Sequence, residues 1–130
     1  YIVDRDFIPR RISSASVAIE GVTPSDNPLM TTMWSVLGYP PCGVVRPVWI
    51  FEGGIPKEVV STKGELAPDV KNANKLKEQV FDFSRDNGNN YLRIGKLFKN
   101  DGTGISQINN RKSIDNYKSG YEILKREFAK

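Results

Sequence analysis

The chain has 130 residues and a formal net charge of +4, with 38% hydrophobic and 26% charged residues, which is typical of one globular domain and not of a disordered tail. It contains no histidine and one cysteine, which excludes a Ser-His-Asp or Cys-His catalytic arrangement, a histidine zinc site and an internal disulfide within these residues. No apolar run reaches the roughly 20 residues of a membrane helix, so no membrane partner is expected.

The first sixty residues have the pattern of β-strands. Residues 11–20 are rich in small and β-branched side chains, and residues 29–37 alternate between two faces. Residues 43–51 are apolar on both faces, which is typical of an interior strand covered by two layers. Pro47 within this third strand marks a bulge or a sheet edge.

Beyond residue 63 the apolar residues take a helical period. One set at 3-4-3 spacing predicts a helix over about residues 69–86: Ala73, Leu76, Val80 and Phe83. A second set at 3-4-3-4 spacing predicts a helix over about residues 106–128: Ile114, Tyr117, Tyr121, Leu124 and Phe128. Residues 90–99 fit either a short helix or a strand, and we favour a helix.

Strands followed by helices predict an α+β fold, in which an antiparallel sheet is covered on one face by two long helices. Residues 1–130 are interpreted as a single segment, with strands at about 11–51 and helices at about 69–128. The Gly-Gly-Ile-Pro stretch at residues 53–56 is interpreted as a corner between the sheet and the helical layer.

The positive charge is concentrated in the second half of the chain. Residues 1–60 carry 5 Lys/Arg against 6 Asp/Glu, whereas residues 61–130 carry 14 against 9. Because acidic residues are interspersed and no block of five like charges occurs, this pattern favours solvated helix faces over a phosphate-binding stripe. A nucleic-acid partner is therefore not expected.

No complete catalytic set is visible in the sequence. Cys42 follows two prolines at the start of an apolar strand, and without a histidine to form the thiolate it is interpreted as a packing residue. The Asp-Gly-Thr-Gly stretch at residues 101–104 lacks the lysine of a P-loop, and a calcium loop here would need ligands at Leu97 and Lys99. It is interpreted as a surface turn, and no cofactor or metal is predicted.

Two stretches resemble a known family. Residues 10–17, RRISSASV, and residues 31–38, TTMWSVLG, resemble the C-terminal strands of the cysteine-type amidohydrolases related to acyl-coenzyme A:6-aminopenicillanic acid acyltransferase, and more distantly those of the choloylglycine hydrolases. Both groups are N-terminal-nucleophile hydrolases. The resemblance covers residues 5–50, less than half of the chain.

The resemblance implies a four-layer αββα sandwich and hydrolysis or acyl transfer at linear, non-peptide C–N amide bonds. It also implies a nucleophilic cysteine freed as a chain N-terminus, whose own α-amino group serves as the base, so that no histidine or cofactor is needed. This chain begins with Tyr1 and not with a cysteine or an initiator methionine, so we expect a C-terminal part of a larger protein, silent on its own. The expected partners are the N-terminal portion of the same protein and a small-molecule amide substrate, and the resemblance favours a location outside the cytoplasm.

The resemblance carries substrate-binding or oxyanion-supporting roles to a set of strand residues: Arg10, Arg11, Ser13, Ser14, Ser16 and Trp34. An arginine fork can hold a carboxylate or steady a developing oxyanion, and a strand would direct only one of the two arginines into the site. The alternative is that the arginine lies in water, that the serines point away from a sheet edge and that Trp34 packs in the core.

Two other classes of function stay open. One is a binding module in which Trp34, Trp49 and nearby tyrosines form an exposed apolar platform for a partner or a sugar. The other is a nucleic-acid binder that uses the lysine-rich second half, with an affinity that falls steeply with salt.

Overall fold

The structure is a computed structural model that describes residues 1–82, 84 and 91–129. Its strands are β1 (Ile2–Val3), β2 (Ala15–Glu20), β3 (Thr32–Leu37), β4 (Arg46–Val48) and β5 (Tyr91–Leu92). Its helices are α1 (Pro68–Val80), α2 (Ile94–Leu97) and α3 (Ile105–Phe128). Among the described residues, no helix is long and apolar enough to cross a bilayer.

Three strands from the first half of the chain form one antiparallel sheet in the order β2-β3-β4. In its register, Ala18 lies opposite Trp34, which in turn lies opposite Pro47. β1 and β5 pair in a separate two-stranded antiparallel sheet. The domain is therefore α+β with antiparallel sheets, and the prediction that residues 11–51 supply adjacent strands of one sheet is confirmed.

The prediction of an interior strand at residues 43–51 is wrong, because β4 is short and lies at one end of the sheet order. Its edge position explains how it accommodates Pro47. The backbone N–H of Gly38 donates to the carbonyl of Ser14 at 2.8 Å, so these two residues form a hydrogen-bonded pair. Hydrogen-bonded and non-bonded pairs alternate along antiparallel strands, so the backbone N–H and C=O of Trp34 are directed towards β2. The nitrogen of Pro47, opposite Trp34, is therefore directed out of the sheet, where a missing N–H costs no ladder bond.

Helix α1 begins at Pro68, one residue before the predicted start, and Ala73 and Val80 are buried on its core face. It ends at Val80, before the expected end near residue 86, because the following residues pair with β5: Phe81 bridges to Leu92. The predicted apolar position Phe83 lies outside the described residues.

Residues 91–99 contain both elements that the sequence allowed. Tyr91 and Leu92 form β5, and the single turn of α2 follows at residues 94–97. The preference for a helix alone is thus only partly right. α2 contacts both long helices, whereas α1 packs against β3 and α3 against β4.

The limits of α3 are close to those predicted, but its predicted buried face is wrong for three of its five residues, since only Leu124 and Phe128 are half-buried. Ile114, Tyr117 and Tyr121 are 54%, 51% and 54% exposed. The buried positions of this helix are Asn109 and Gly120, on a stripe of small and polar side chains. The reason is that α3 covers the edge of β4, where the backbone needs hydrogen-bond partners.

The hydrophobic core lies between α1, α2, β5 and the turn that precedes β4. Its fully buried members share contacts across these elements: Tyr39, Cys42, Ala73, Val80, Phe81, Leu92 and Leu97. The hydroxyl of Tyr39 donates a hydrogen bond of 3.0 Å to the carbonyl of Pro9, which ties the loop before β2 to this core.

Candidate functional site

The two candidate arginines lie in the loop that leads into β2 and not on a strand, so the argument that only one of them can face the site does not apply. The backbone of Arg11 is held on both sides: its N–H donates to Asp4 Oδ1 at 2.8 Å, and Lys77 Nζ donates to its carbonyl at 3.3 Å. Within the described part of the chain, the guanidinium groups of Arg10 and Arg11 have no hydrogen-bond or ion-pair partner. Both groups are available to a ligand.

The three candidate serines occupy the loop end and the start of β2. Ser13 is half-buried, whereas Ser14 and Ser16 are exposed. Ser16 lies opposite Val36, two residues from the Ala18–Trp34 pair, so Ser16, Ala18 and Trp34 share one face of the sheet. The structure thus brings Ser16 and Trp34 to the same surface.

An aromatic wall stands beside this surface. The rings of Trp34 and Tyr117 stack with their centroids 5.2 Å apart and an angle of 23° between their planes. They contribute to an apolar groove of about 360 Å³ between the sheet and α3, lined by Trp34, Val45, Asn110, Ser113, Ile114 and Tyr117. We call the surface formed by Ser16, Ala18, Trp34 and Tyr117 the aromatic face. Because Ser16 and Ala18 are small, the sheet surface next to the two rings is open to solvent.

Tyr117 is the residue of this face that the sequence interpretation missed. Its position in the apolar stripe of α3 indicated a core role, but only half of the side chain is covered, and Trp34 covers it by stacking. The periodicity carries no signal for this pairing, because spacing along a helix does not show which strand residue lies opposite.

Cys42 is fully buried in the core, as interpreted from its sequence context. Burial raises the pKa of its thiol to about 12, with a smaller opposing effect from the positive charge of Lys77. At neutral pH the side chain is therefore a protonated thiol, which is neither an effective nucleophile nor a metal ligand.

The platform of two exposed tryptophans is not present. Trp49 is only 3% exposed, and its indole nitrogen donates a hydrogen bond of 2.7 Å to Thr32 Oγ1. Its ring stacks on Phe51, with centroids 5.7 Å apart. Trp49 is a core residue, so a platform on this chain rests on Trp34 with Tyr117.

A largely buried ion pair joins β4 to α1. Arg46 donates from Nε to Asp69 Oδ2 at 2.8 Å and from its terminal nitrogen to Asp69 Oδ1 at 3.1 Å, while its other terminal nitrogen lies 3.5 Å from Asn116 Oδ1. The hydrogen bond to Asp69 raises the pKa of Arg46. Because each guanidinium nitrogen has a partner, this arginine has a structural role and connects β4 to α1 and α3.

The stretch at residues 101–104 is a turn, as interpreted. Asp101 Oδ1 accepts hydrogen bonds from the backbone nitrogen and the hydroxyl of Thr103, which lowers the pKa of the carboxyl. Gly102 has a φ of +77°, a left-handed conformation that favours glycine. In the described part of the chain, no group of three or more Cys, Asp or Glu side chains could hold a metal ion.

Taken together, these residues can bind and orient a ligand but supply no nucleophile paired with a base. The aromatic face offers an apolar wall, and the loop before β2 offers two uncommitted arginines. Comparison of the chain with protein-family models, with curated proteins and with solved structures gave no match.

Proposed function

We propose that this chain is the C-terminal portion of an N-terminal-nucleophile hydrolase or acyltransferase acting on linear, non-peptide C–N amide bonds. The nucleophile and its base lie on polypeptide outside these residues, and a second sheet layer completes an αββα sandwich. The observation that carries the proposal is the open aromatic face, on which a strand of small residues lies beside the stacked Trp34 and Tyr117.

The exposure of β2 supports a missing layer. All six of its residues are exposed, and Val17 and Ile19 leave 52% and 71% of their surface in water. A sheet strand is stabilised by burying at least one face, and a face of apolar and small residues suits contact with another layer. Val17 and Ile19 lie on the face opposite to Ser16, Ala18 and Trp34, so the missing layer would cover the side of the sheet away from the aromatic face.

The chemistry of the site favours a role for this chain in stabilising the oxyanion and not in supplying the nucleophile. Amide cleavage needs a nucleophile, a base and an oxyanion stabiliser within a few ångströms. The buried, protonated Cys42 does not fill the first role, whereas Arg11 suits the third because its backbone is held and its guanidinium is uncommitted.

The test compares the isolated chain with the parent protein that carries the N-terminal cysteine. The 130-residue chain should hydrolyse no linear amide of a substrate panel. In the parent, Arg11→Ala should lower amide turnover or substrate binding with an unchanged unfolding midpoint, and Arg10→Ala is measured in parallel because both guanidinium groups are uncommitted. Cys42→Ser should leave turnover nearly intact. Turnover by the isolated chain, or its loss in a folded Cys42→Ser parent, would falsify the proposal.

The Trp34–Tyr117 pair also favours a second candidate, a non-catalytic module that binds a sugar or an apolar partner. The groove beside the pair is apolar and open, as expected for a stacking platform. Titration of the Trp49→Phe variant with oligosaccharides, followed by Trp34 fluorescence, tests this function. Saturable quenching that Tyr117→Ala abolishes would support the module, and a flat titration would exclude sugar binding at this face.

A further inference from the structure

The two edges of the β2-β3-β4 sheet differ in whether their backbone groups have hydrogen-bond partners. At the β4 edge, the backbone of Val45 is satisfied by α3: its N–H donates to Ser113 Oγ at 3.0 Å and its carbonyl accepts from Asn116 Nδ2 at 2.9 Å. At the β2 edge, no segment in the described part of the chain pairs with the strand. One edge is therefore closed by side chains, and the other is open.

The open edge presents a regular row of peptide groups. The bond from Gly38 N–H to the carbonyl of Ser14 places the even-numbered residues of β2 in hydrogen-bonded pairs with β3, in an unbroken register. Because bonded and non-bonded pairs alternate, the N–H and C=O groups of Ala15, Val17 and Ile19 are directed away from β3. These three residues offer six unpaired backbone groups to a neighbouring strand.

The side chains of β2 do not protect this edge. Natural edge strands avoid pairing through lysines, prolines, bulges or a covering element. β2 is six residues long, contains no lysine or proline, pairs with β3 without a bulge, and carries only one charged residue, Glu20. Such a strand is suited to pair with another strand.

We propose that β2 pairs antiparallel with β2 of a second copy of this chain, centred on Val17, so that two three-stranded sheets join into one. A two-fold axis perpendicular to the sheet places Val17 opposite its own copy and Ala15 opposite Ile19. This register matches all three outward-directed residues with one another. A centre at Ala18 would instead pair Ala15 with Gly21, which lies beyond the strand.

Charge and shape favour the same register. Glu20 lies opposite the uncharged Ser14 of the second copy, next to the loop that carries Arg10 and Arg11, so no like charges lie opposite each other in this register. On one face, the exposed side chains of Val17 and Ile19 from both copies form a continuous apolar strip. Pairing thus covers part of Val17 and Ile19, which are 52% and 71% exposed in the single chain.

The experiment uses disulfide trapping of adjacent positions in the full 130-residue chain. In the proposed register, the Cα atoms of residue 17 in the two copies are about 5.5 Å apart, within disulfide range. Residue 18 lies opposite residue 16 of the other copy, so the two Cα atoms of residue 18 are separated both across the strands and by two residues along them. They are therefore roughly 8 Å apart. Under mild oxidation, Val17→Cys should give a covalent dimer at least 10-fold faster than the matched control Ala18→Cys. The native Cys42 is retained because it is buried.

Sedimentation equilibrium provides a second readout that needs no cross-link. The unmodified chain should show a monomer–dimer equilibrium, and Val17→Lys should raise the dissociation constant at least 10-fold by placing two like charges at the axis. Ser25→Lys, in the exposed turn before β3, should leave the constant unchanged. Circular dichroism confirms that each variant is folded. A strictly monomeric chain, or faster cross-linking at residue 18 than at residue 17, overturns the proposal.

Discussion

The side-chain amide of Asn109 donates a hydrogen bond of 2.8 Å to the backbone carbonyl of Cys42, and both residues are buried. Three further residues of the same stripe on α3 bond to the backbone of residues 41–45: Ser106, Ser113 and Asn116. The longest helix is therefore attached to the sheet edge by polar side chains, in a position where an amphipathic helix would ordinarily place apolar ones.

Replacing Asn109 with alanine should destabilise the domain by about 1–3 kcal/mol, because the buried carbonyl of Cys42 loses its partner without gaining access to water. Asn110→Ala is the matched control, since Asn110 is exposed one position along the helix, and it should stay within about 0.5 kcal/mol. Urea unfolding followed by circular dichroism measures both. Equal midpoints for the two variants would contradict the assignment of the buried face.

This stripe also explains which parts of the fold were predictable. The start of α1 and the limits of α3 were close to correct because Pro68, the glycines before residue 105 and the apolar period mark them. The buried face of α3 was not, because two stripes share the 3-4-3-4 spacing and lie about 90° apart on the helix. One is apolar, and the other consists of Ser106, Asn109, Ser113, Asn116 and Gly120.

Hydrophobicity predicts that the apolar stripe is buried. In the structure the polar stripe is buried instead, because it supplies hydrogen-bond partners to the unpaired backbone at the edge of β4. Which strand forms an edge is known only once the strand order is known. The same limit applies to the candidate site. The resemblance predicts Trp34 and Ser16 as residues of this site, and in the sheet register these two residues share a face. Tyr117 comes from a distant helix, and only the tertiary structure brings it onto Trp34.

Gly120 should resist substitution by any larger residue. A Cβ atom at this position would lie 3.0 Å from Trp49 Cη2 and 3.2 Å from Pro47 Cγ, so a longer side chain cannot fit without moving the buried indole. Gly120→Leu should lower the free energy of unfolding by about 1–3 kcal/mol despite the better helix propensity of leucine. Ser119→Leu, on the exposed side, should be nearly neutral. A Gly120→Leu variant as stable as the parent in thermal unfolding would show that α3 does not approach Trp49 this closely.

Removing one partner of the Arg46–Asp69 ion pair should destabilise the domain strongly, whereas replacing both partners with apolar residues should destabilise it little. Arg46→Met leaves the carboxylate of Asp69, which is only 9% exposed, without its bidentate partner, and should destabilise the domain by roughly 3 kcal/mol. The double variant Arg46→Met/Asp69→Leu removes both charges and should recover most of that loss. Chemical denaturation of the four members of this cycle measures the coupling. Additive effects of the two substitutions would show that the pair contributes no interaction energy.

Stability should fall at acidic pH through Asp82. Hydrogen bonds from the hydroxyl and the backbone nitrogen of Ser84, a hydrogen bond involving the Tyr1 side chain, and the charge of Arg93 lower the pKa of this carboxyl from its ordinary value of 3.8. Because the folded state holds the proton less tightly than the unfolded state, the stabilisation is complete above about pH 4 and is lost as the pH falls further.

Asp82→Asn should therefore lower the unfolding temperature at pH 6 more than at pH 2.5, so that the variant shows a shallower acid decline than the parent. Asp115→Asn, at an exposed position of α3, should retain the parent's decline. Calorimetry across this pH range provides the comparison, and an unchanged acid decline in Asp82→Asn would refute the assignment.

Cys42 should be inert in the folded chain and reactive in the unfolded one. Its pKa, raised by burial from 9.0 to about 12, leaves roughly 10³-fold less thiolate at pH 8 than an ordinary cysteine has, and the thiolate is the form that attacks disulfide reagents. Reaction with an aromatic disulfide reagent at pH 8 should therefore be at least 10³-fold slower than that of glutathione, and should become fast in denaturant. Ser25→Cys adds a thiol in an exposed turn and should give one rapid equivalent before the slow one. Rapid, stoichiometric labelling of Cys42 in the folded chain would mean that the thiol is accessible and ionised, and it would then have to be reconsidered as a nucleophile.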